Sequence, residues 1–166
     1  MNDLLILANL LPGPLHGYAL KKQIGLVTGH GEMHNNLIYP LLRRFEQNRW
    51  ITRRVVAGER GQTRAVYELK KKGKQELLRR LGQFTDKDAA FENAFRLRVG
   101  LFDILDSETR HKILSARGEW LSARQARVSR LTGALNAGPW GSEVLKMLAQ
   151  QIRAERKWIS RLKRKA

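Results

Sequence analysis

The stretch from residue 35 to residue 69 decides the fold, because the spacing of its apolar residues changes partway along. Residues 35–47, NNLIYPLLRRFEQ, have the period of an amphipathic helix. The apolar stripe of this helix consists of Leu37, Ile38, Leu41, Leu42 and Phe45. Residues 50–56, WITRRVV, and 65–69, AVYEL, are instead rich in β-branched residues and predict two strands. Residues 58–64, GERGQTR, form the polar tip of the hairpin between them, so a helix is followed by a basic β-hairpin.

Two further helices are predicted before this stretch and one after it. The first covers residues 2–11, with Asn2 or Asp3 as its N-cap, and ends at Pro12-Gly13-Pro14. The second begins at Gly17, and another helix follows Lys70. The order of three helices and then two strands is that of a winged helix. We therefore predict a winged helix-turn-helix DNA-binding domain over residues 1–81.

The remaining residues, 82–166, predict helices only. One helix is expected over 88–105, a long one from an N-cap at Ser107 to about residue 136, and a last one after the break at Gly138-Pro139. The long helix repeats apolar residues every seven positions, at Leu114, Leu121, Val128 and Leu135. Either an intramolecular bundle or a dimerisation arm would use this repeat, and an arm appended to a small head favours dimerisation. The predicted fold class is thus mainly α: an N-terminal winged helix of three helices plus a two-stranded wing, followed by a C-terminal α-helical dimerisation arm.

The charge of the chain points to a polyanionic partner. There are 32 Lys and Arg against 15 Asp and Glu, a net charge of +17. Residues 1–81 hold 15 basic and 6 acidic side chains and residues 82–166 hold 17 and 9, so the excess is shared by both parts. Such a surface attracts nucleic acid through counterion release, although a merely solvated surface or an anionic membrane are alternatives. The chain has no cysteine, no apolar run long enough to span a bilayer and no recognisable signal peptide, so we expect a cytoplasmic protein with no membrane partner.

The candidate DNA-binding residues lie on the third helix and the hairpin. Asn side chains can read adenine in the major groove, and the N-terminal edge of a recognition helix faces the bases. The expected base-reading residues are His34, Asn35, Asn36 and Tyr39, and the expected phosphate contacts are Arg43 and Arg44 on the helix and Arg60 and Arg64 on the hairpin.

Each of these assignments has a structural alternative. His34 or Asn35 would serve equally well as the N-cap of the helix, and Tyr39 as a core residue. Arg43 or Arg44 would equally well pair with Glu46 or Glu32.

The sequence does not predict an enzyme, a cofactor or a metal site. His30 and His34 lie four apart, but the glycines between them disfavour the helix that a zinc-protease pair needs, and Glu does not directly follow the first His. The chain contains neither a phosphate-binding Gly-rich loop that ends in Gly-Lys-Ser/Thr nor a Gly-x-Ser-x-Gly nucleophile elbow.

Three segments resemble the PadR-like family of transcriptional regulators. They are Leu15-His16-Gly17-Tyr18-Ala19-Leu20, Ile38-Tyr39-Pro40-Leu41-Leu42-Arg43-Arg44-Phe45-Glu46, and Tyr67-Glu68-Leu69 with Gly73 four residues on. The chain departs from the family pattern at Phe45, where Leu is usual, at Arg49, where Gly normally closes the recognition helix, and at Lys70, where Thr is usual. We expect Asn48 to supply the left-handed residue that Gly would provide, and capping of the helix after Lys70 is in doubt.

The resemblance implies a homodimeric repressor whose two winged heads bind a pseudo-palindromic operator. It also implies release by a small aromatic effector, as in some relatives. Aromatic residues of the arm would line the effector site or simply pack in the core; they are Phe95, Phe102, Trp120, Trp140 and Trp158. The competing interpretation is a general nucleic-acid-binding or architectural protein with little sequence preference. It is favoured by the basic residues of the arm, namely Arg124, Arg127, Arg130, Arg153, Arg156 and Lys157.

Overall fold

The chain folds into two compact units, Met1–Gln83 and Phe84–Ala166. The computed structural model describes residues 1–28, 33–57, 63–134 and 138–166. The first unit consists of α1 (Asn2–Asn9), β1 (Leu15–His16), α2 (Gly17–Thr28), α3 (Asn35–Gln47), β2 (Ile51–Ala57), β3 (Thr63–Leu69) and α4 (Lys71–Gly82). The second consists of α5 (Asp86–Ala90), α6 (Glu92–Val99), a 3-10 turn (Phe102–Ile104), α7 (Ser107–Ala134) and α8 (Gly138–Lys163). We call the first the winged-helix unit and the second the helical arm.

The predicted fold class is confirmed, with one additional strand. β2 and β3 form the antiparallel two-stranded wing, with Ile51 opposite Leu69 and Ala57 opposite Thr63. The two-residue strand β1 adds to the other edge of β3, so the sheet order is β1-β3-β2. A strand of two residues carries no periodicity of its own, and only its pairing of Leu15 with Tyr67 reveals it.

The core of the winged-helix unit is apolar and draws on every helix. On α3 the buried side chains are Ile38, Leu42 and Phe45, whereas Leu37 of the predicted stripe is 41% exposed. The other buried apolar residues include Leu4–Leu7 and Leu10 after α1, Leu20 and Ile24 of α2, Ile51 of β2, Tyr67 of β3, and Leu77 and Leu81 of α4. The helix α3 is therefore fixed from behind, and its opposite face is free.

The ends of α3 differ in part from the expectation. The helix covers the predicted residues 35–47, and Arg49, not Asn48, is the left-handed residue that follows it, with φ 60° against −76° for Asn48. The Trp50 N–H donates to the Phe45 carbonyl and the Arg49 N–H to the Glu46 carbonyl, both at 2.9 Å. This is a Schellman ending, which needs its left-handed residue at position 49 whatever side chain stands there.

The ends of α1 and α4 show how little side-chain capping the winged-helix unit uses. Met1 occupies the N-cap of α1, so the expectation that Asn2 or Asp3 caps it is wrong, and α1 ends at Asn9, two residues earlier than predicted. Lys70 occupies the N-cap of α4 without a side-chain hydrogen bond. Gly73 in the first turn of α4 lies so close to the wing that an added Cβ would be 2.2 Å from the Trp50 carbonyl oxygen.

The first half of the helical arm is broken into shorter pieces than predicted. Residues 88–105 do not form one helix, because α5 begins earlier, at a capping box between Thr85 and Asp88, and Phe91 is extended, with φ −97° and ψ 112°. Asp106 rather than Ser107 caps α7, since its carboxylate accepts from the Thr109 N–H at 2.7 Å. Phe91, at this break, is 59% exposed.

The core of the arm lies along α7 and α8 and contains two arginines. Leu114, Leu121 and Val128 are buried as the seven-residue repeat predicts, and Leu135 lies outside the described residues. Ile152 and Ile159 are their buried counterparts on α8. Arg98 and Arg117 are only 3% and 2% exposed.

Arg117 joins three helices through its guanidinium. Its Nε and Nη2 donate to the two carboxylate oxygens of Glu155 on α8, each at 2.8 Å, and its Nη1 donates to the Ala89 carbonyl of α5 at 2.5 Å. The group also lies 4.6 Å from the centroid of the Trp120 ring and 5.6 Å from that of Phe95. Glu155, which interrupts the apolar seam of α8, is thus the partner of a buried cation.

None of the helices in the described part of the chain combines the length and the apolar character needed to cross a membrane.

Candidate nucleic-acid interface

The outer face of α3 presents the polar residues that the sequence analysis selected. Asn36, Tyr39 and Arg43 follow at intervals of three and four residues, which places them on one side of a helix, and all three are exposed. Gln47 continues the same face one turn later and is also exposed, a residue that the sequence analysis missed. The face lies opposite the buried stripe, so it is available to a groove.

The N-terminal edge of α3 adjoins α2. His34 holds the N-cap position, as one alternative predicted, but its side chain makes no capping hydrogen bond and is exposed. Asn35 accepts a hydrogen bond from the Lys21 ammonium at 3.2 Å. Lys21 therefore brings the charge of α2 to this edge.

A face of α2 extends the candidate surface and was not predicted. Tyr18, Lys21 and Lys22 are spaced as neighbours on one helical face, and Tyr18 is 66% exposed. The signal available in the sequence was the Lys21-Lys22 pair in the first helix of the helix-turn-helix, because that helix crosses the DNA backbone in such motifs.

Tyr39 is both packed and exposed, so the two alternatives for it are not exclusive. A Cβ at position 17 would lie 3.4 Å from its Cε1 and 3.5 Å from its hydroxyl, yet the side chain stays 43% exposed. The ring of Tyr67 borders the same position at 3.5 Å. Burial raises the pKa of the Tyr67 phenol, and the hydrogen bond with Arg53 opposes that rise.

Arg43 and Arg44 have different surroundings. Arg43 is exposed, and within the described residues it forms no ion pair. Arg44 donates to the Asp3 carboxylate at 2.6 Å, a partner not considered from sequence, and among the described residues it forms no ion pair with Glu46. The same Asp3 oxygen accepts from Arg80 of α4 at 2.6 Å, so the recognition helix is tied to both α1 and α4.

The wing contributes further cations. Arg64 is exposed and lies opposite Val56, and Arg54 pairs with Glu68 across the strands. Arg60 lies outside the described residues, as do His30 and Glu32. The structure thus brings His34, Asn35, Asn36, Tyr39 and Arg43 together on one surface and ties Arg44 to its flank.

A family model decides what kind of domain this is. Residues 6–79 match the model of the transcriptional regulator PadR-like family. The N-terminal unit is a PadR-like domain. The match to the PadR-like transcriptional regulators thus falls within the winged-helix unit.

The three motifs of the PadR-like domain meet in space. Gly17 of the first motif lies against Tyr39 of the second and Tyr67 of the third. Gly73 of the third motif lies against the wing at Trp50. The motifs thus record the contacts that hold α3 and the wing to the rest of the domain.

Solved structures resemble the chain over different lengths. Bacillus subtilis PadR in complex with operator DNA is 19% identical, covers 99% of this chain and 97% of that chain, and has a TM-score of 0.49. A transcriptional regulator from Thermoplasma acidophilum is 27% identical over 61% of this chain and 85% of that one, with a TM-score of 0.45. A transcriptional regulator from Clostridium thermocellum is 25% identical over 47% and 76%, with a TM-score of 0.43. No curated protein matches the sequence.

Proposed function

We propose that this PadR-like protein is a sequence-specific DNA-binding regulator that acts in the cytoplasm as a homodimeric repressor of a pseudo-palindromic operator. The observation that carries the proposal is the exposed outer face of α3, with Asn36, Tyr39 and Arg43 in line and an apolar core fixing the helix from behind. A rigid helix with amides and cations on its free side has the chemistry that direct reading of base edges requires.

The roles of the individual residues follow from their positions. His34, Asn35, Asn36 and Tyr39 are proposed to face the bases, because they occupy the first turns of the recognition helix. Arg43, the α2 residue Lys22, and Arg60 and Arg64 of the wing are proposed to contact phosphates. Arg44 adds to the positive potential that attracts the phosphates while it remains bound to Asp3.

An exposed apolar strip on α8 supports the homodimer. Trp140, Val144 and Met147 lie on one face of the helix and are 84%, 53% and 44% exposed. Contiguous exposed apolar side chains of this size are typical of protein interfaces. Two winged heads related by a dimer axis would read two half-sites of opposite orientation, which is the reason for proposing a pseudo-palindromic operator.

A cavity within the arm supports an aromatic effector. It has a volume of about 420 Å³, lies between α5–α6, α7 and α8, and is bordered by Leu121, Leu148 and Trp158 and by the cations Arg96 and Arg124. Of the five aromatic residues considered from sequence, only Trp158 borders it; Phe95 is fully buried and Trp140 is at the surface.

The decisive experiment is selection of bound sequences from a random duplex pool, followed by binding measurements on variants. Asn36→Ala is expected to lower the preference for the selected site over random duplex by about 1–3 kcal/mol, the usual value of one good base contact. Asn93→Ala, which removes an exposed amide from α6 in the arm, is the matched control and should leave the preference unchanged.

Two results would reject this function. A selection that returns no consensus, together with equal affinity of the wild type for all duplexes, would favour the general nucleic-acid-binding alternative. Retention of the full preference in both Asn36→Ala and Tyr39→Ala would show that α3 does not read the bases.

A further inference from the structure

The outer face of α8 carries a line of cations. Arg153, Lys157 and Arg161 are spaced four residues apart, so they share one side of the helix, and all three are exposed. The opposite side holds the buried residues Ile152 and Ile159. We call these three residues the α8 cationic face.

Neither acid of α8 neutralises this face. Glu143 pairs with the Lys146 ammonium at 2.6 Å. Both carboxylate oxygens of Glu155 are occupied by the buried Arg117, at 2.8 Å each, so this acid is directed inward. In the part of the chain that the structure describes, none of the three cations forms an ion pair.

The basic residues noted in the sequence do not all belong to this face. Arg156 donates to Gln125 of α7, and Arg124 lies over the Trp120 ring, 5.1 Å from its centroid. Of the six basic residues noted in the sequence, Arg153 and Lys157 belong to this face.

The row of cations lowers the stability of the helix on its own, and its length suits binding to a row of phosphates. Like charges four residues apart on a helix repel one another, so the helix is less stable with them than with neutral residues. From Arg153 to Arg161 the face runs for about 12 Å along the helix axis. Phosphates of one DNA strand advance by about 3.4 Å each, so a stretch of about four phosphates would neutralise the whole row.

We propose that the α8 cationic face is a second DNA-binding surface, which contacts the phosphate backbone of duplex DNA without regard to sequence. It goes beyond the operator-reading site and shares with the proposed function only the choice of duplex DNA as partner. An anionic membrane is the less suitable partner, because an interfacial helix must insert an apolar side. The apolar residues opposite the cations, Ile152 and Ile159, are already buried in the arm.

The test is the salt dependence of binding by the full chain to a duplex of random sequence. The triple variant Arg153→Gln, Lys157→Gln, Arg161→Gln is expected to make the negative slope of log K against log salt less steep by about 2 to 3, since each lost phosphate contact removes about 0.9 from its magnitude. The control variant Lys87→Gln, Lys112→Gln, Arg130→Gln removes the same charge from exposed positions elsewhere in the arm and should change the slope by less than about 1. Circular dichroism establishes that both variants keep their helix content.

Three outcomes would overturn the proposal. The first is an unchanged salt slope in the triple variant, and the second is an equal change of slope in the control variant. The third is a triple variant that loses binding to phosphatidylserine vesicles while its DNA binding stays intact. The ratio of affinities for the selected site and for random duplex separates this inference from the proposed function. That ratio should be the same in the triple variant and the wild type, whereas a wild-type ratio of one would reject operator reading and leave the cationic face standing.

Discussion

The winged-helix unit and the helical arm use their arginines in opposite ways. Among the described residues, the winged-helix unit buries no charged side chain, and its Arg44 and Arg80 meet Asp3 at the edge of an apolar core. The arm buries Arg98 and Arg117 and surrounds them with Phe84, Phe95 and Trp120. The first unit is thus specified by apolar packing with polar groups left free for a partner, and the second by polar contacts placed between its helices.

The sharpest way to break this comparison is to remove the buried cation of the arm. Arg117→Met leaves Glu155 without its partner, and the expected loss is about 3–5 kcal/mol in the free energy of unfolding of the arm. Denaturant titration followed by tryptophan fluorescence suits the measurement, because three of the four tryptophans lie in the arm.

A second variant separates the pair from general packing. Arg117→Met combined with Glu155→Leu removes both charges and should recover most of the loss, since a matched apolar pair replaces a buried ion pair at little cost. A single variant as stable as the wild type would show that the arm does not depend on this contact.

A pair of glycine substitutions compares how tightly the two units are packed. Gly73→Ala places a Cβ 2.2 Å from the Trp50 carbonyl oxygen and should cost the winged-helix unit about 1–3 kcal/mol through displaced backbone. Gly118→Ala on α7 meets nothing within 4 Å and should stabilise the arm by about 0.5–1 kcal/mol, because Ala is the better helix former. Thermal unfolding of both variants gives the signs, and two shifts in the same direction would contradict the comparison.

The smallest effect concerns the surface charges of the winged-helix unit. Hydrogen bonds from Arg79, and further ones from Arg80, lower the pKa of Glu76 to about 2 from its ordinary 4.5. The stabilisation by a carboxylate whose pKa is depressed on folding is present above the ordinary pKa and is lost as pH falls toward the folded value. Glu76→Gln should therefore be less stable than the wild type by up to about 1 kcal/mol near neutral pH, with the difference vanishing between pH 4.5 and 2.

The control for that titration is Glu119→Gln on α7. Glu119 is exposed and forms no ion pair with any residue that the structure describes, so its replacement should leave stability nearly unchanged at both ends of the range. A difference between Glu76→Gln and the wild type that stays constant with pH would show that the carboxylate charge is not what stabilises α4.

The sequence predicts the winged-helix unit well because its elements are separated by strong local signals. The bounds of α3 are as predicted, since an apolar stripe and a change to β-branched residues mark both of its ends. The errors lie where local preference gives way to tertiary contacts. Position 49 must be left-handed for the wing to follow α3, so Arg49 takes that conformation although Asn48 would adopt it more easily.

In the arm, local sequence signals predict the helix boundaries less well. The buried seven-residue repeat on α7 was visible in the sequence, but residues 88–105 also carry apolar residues at helical spacing and are nevertheless interrupted at Phe91. The capping box at Thr85 starts α5 early, and no periodicity indicates where such a helix will stop.

The candidate interface also has a part that the sequence predicts and a part that it does not. Residues in the first turns of α3 could be named from their order alone, whereas the Lys21–Asn35 contact and the Asp3 tie to Arg44 join residues 14 and 41 positions apart. Contacts over such separations depend on how helices pack, which no local pattern contains.

The pairing of Arg117 with Glu155 also fixes the register of the α-helical hairpin. A seven-residue repeat of apolar side chains permits α8 to slide along α7 by one heptad, about 10 Å, and still bury apolar side chains against one another. Such a slide, in one direction or the other, would place Arg117 opposite Leu148 or Leu162 in place of Glu155 and would leave its guanidinium without the carboxylate acceptor. The acidic residue in the seam of α8 therefore makes the shifted hairpins less stable than the native one.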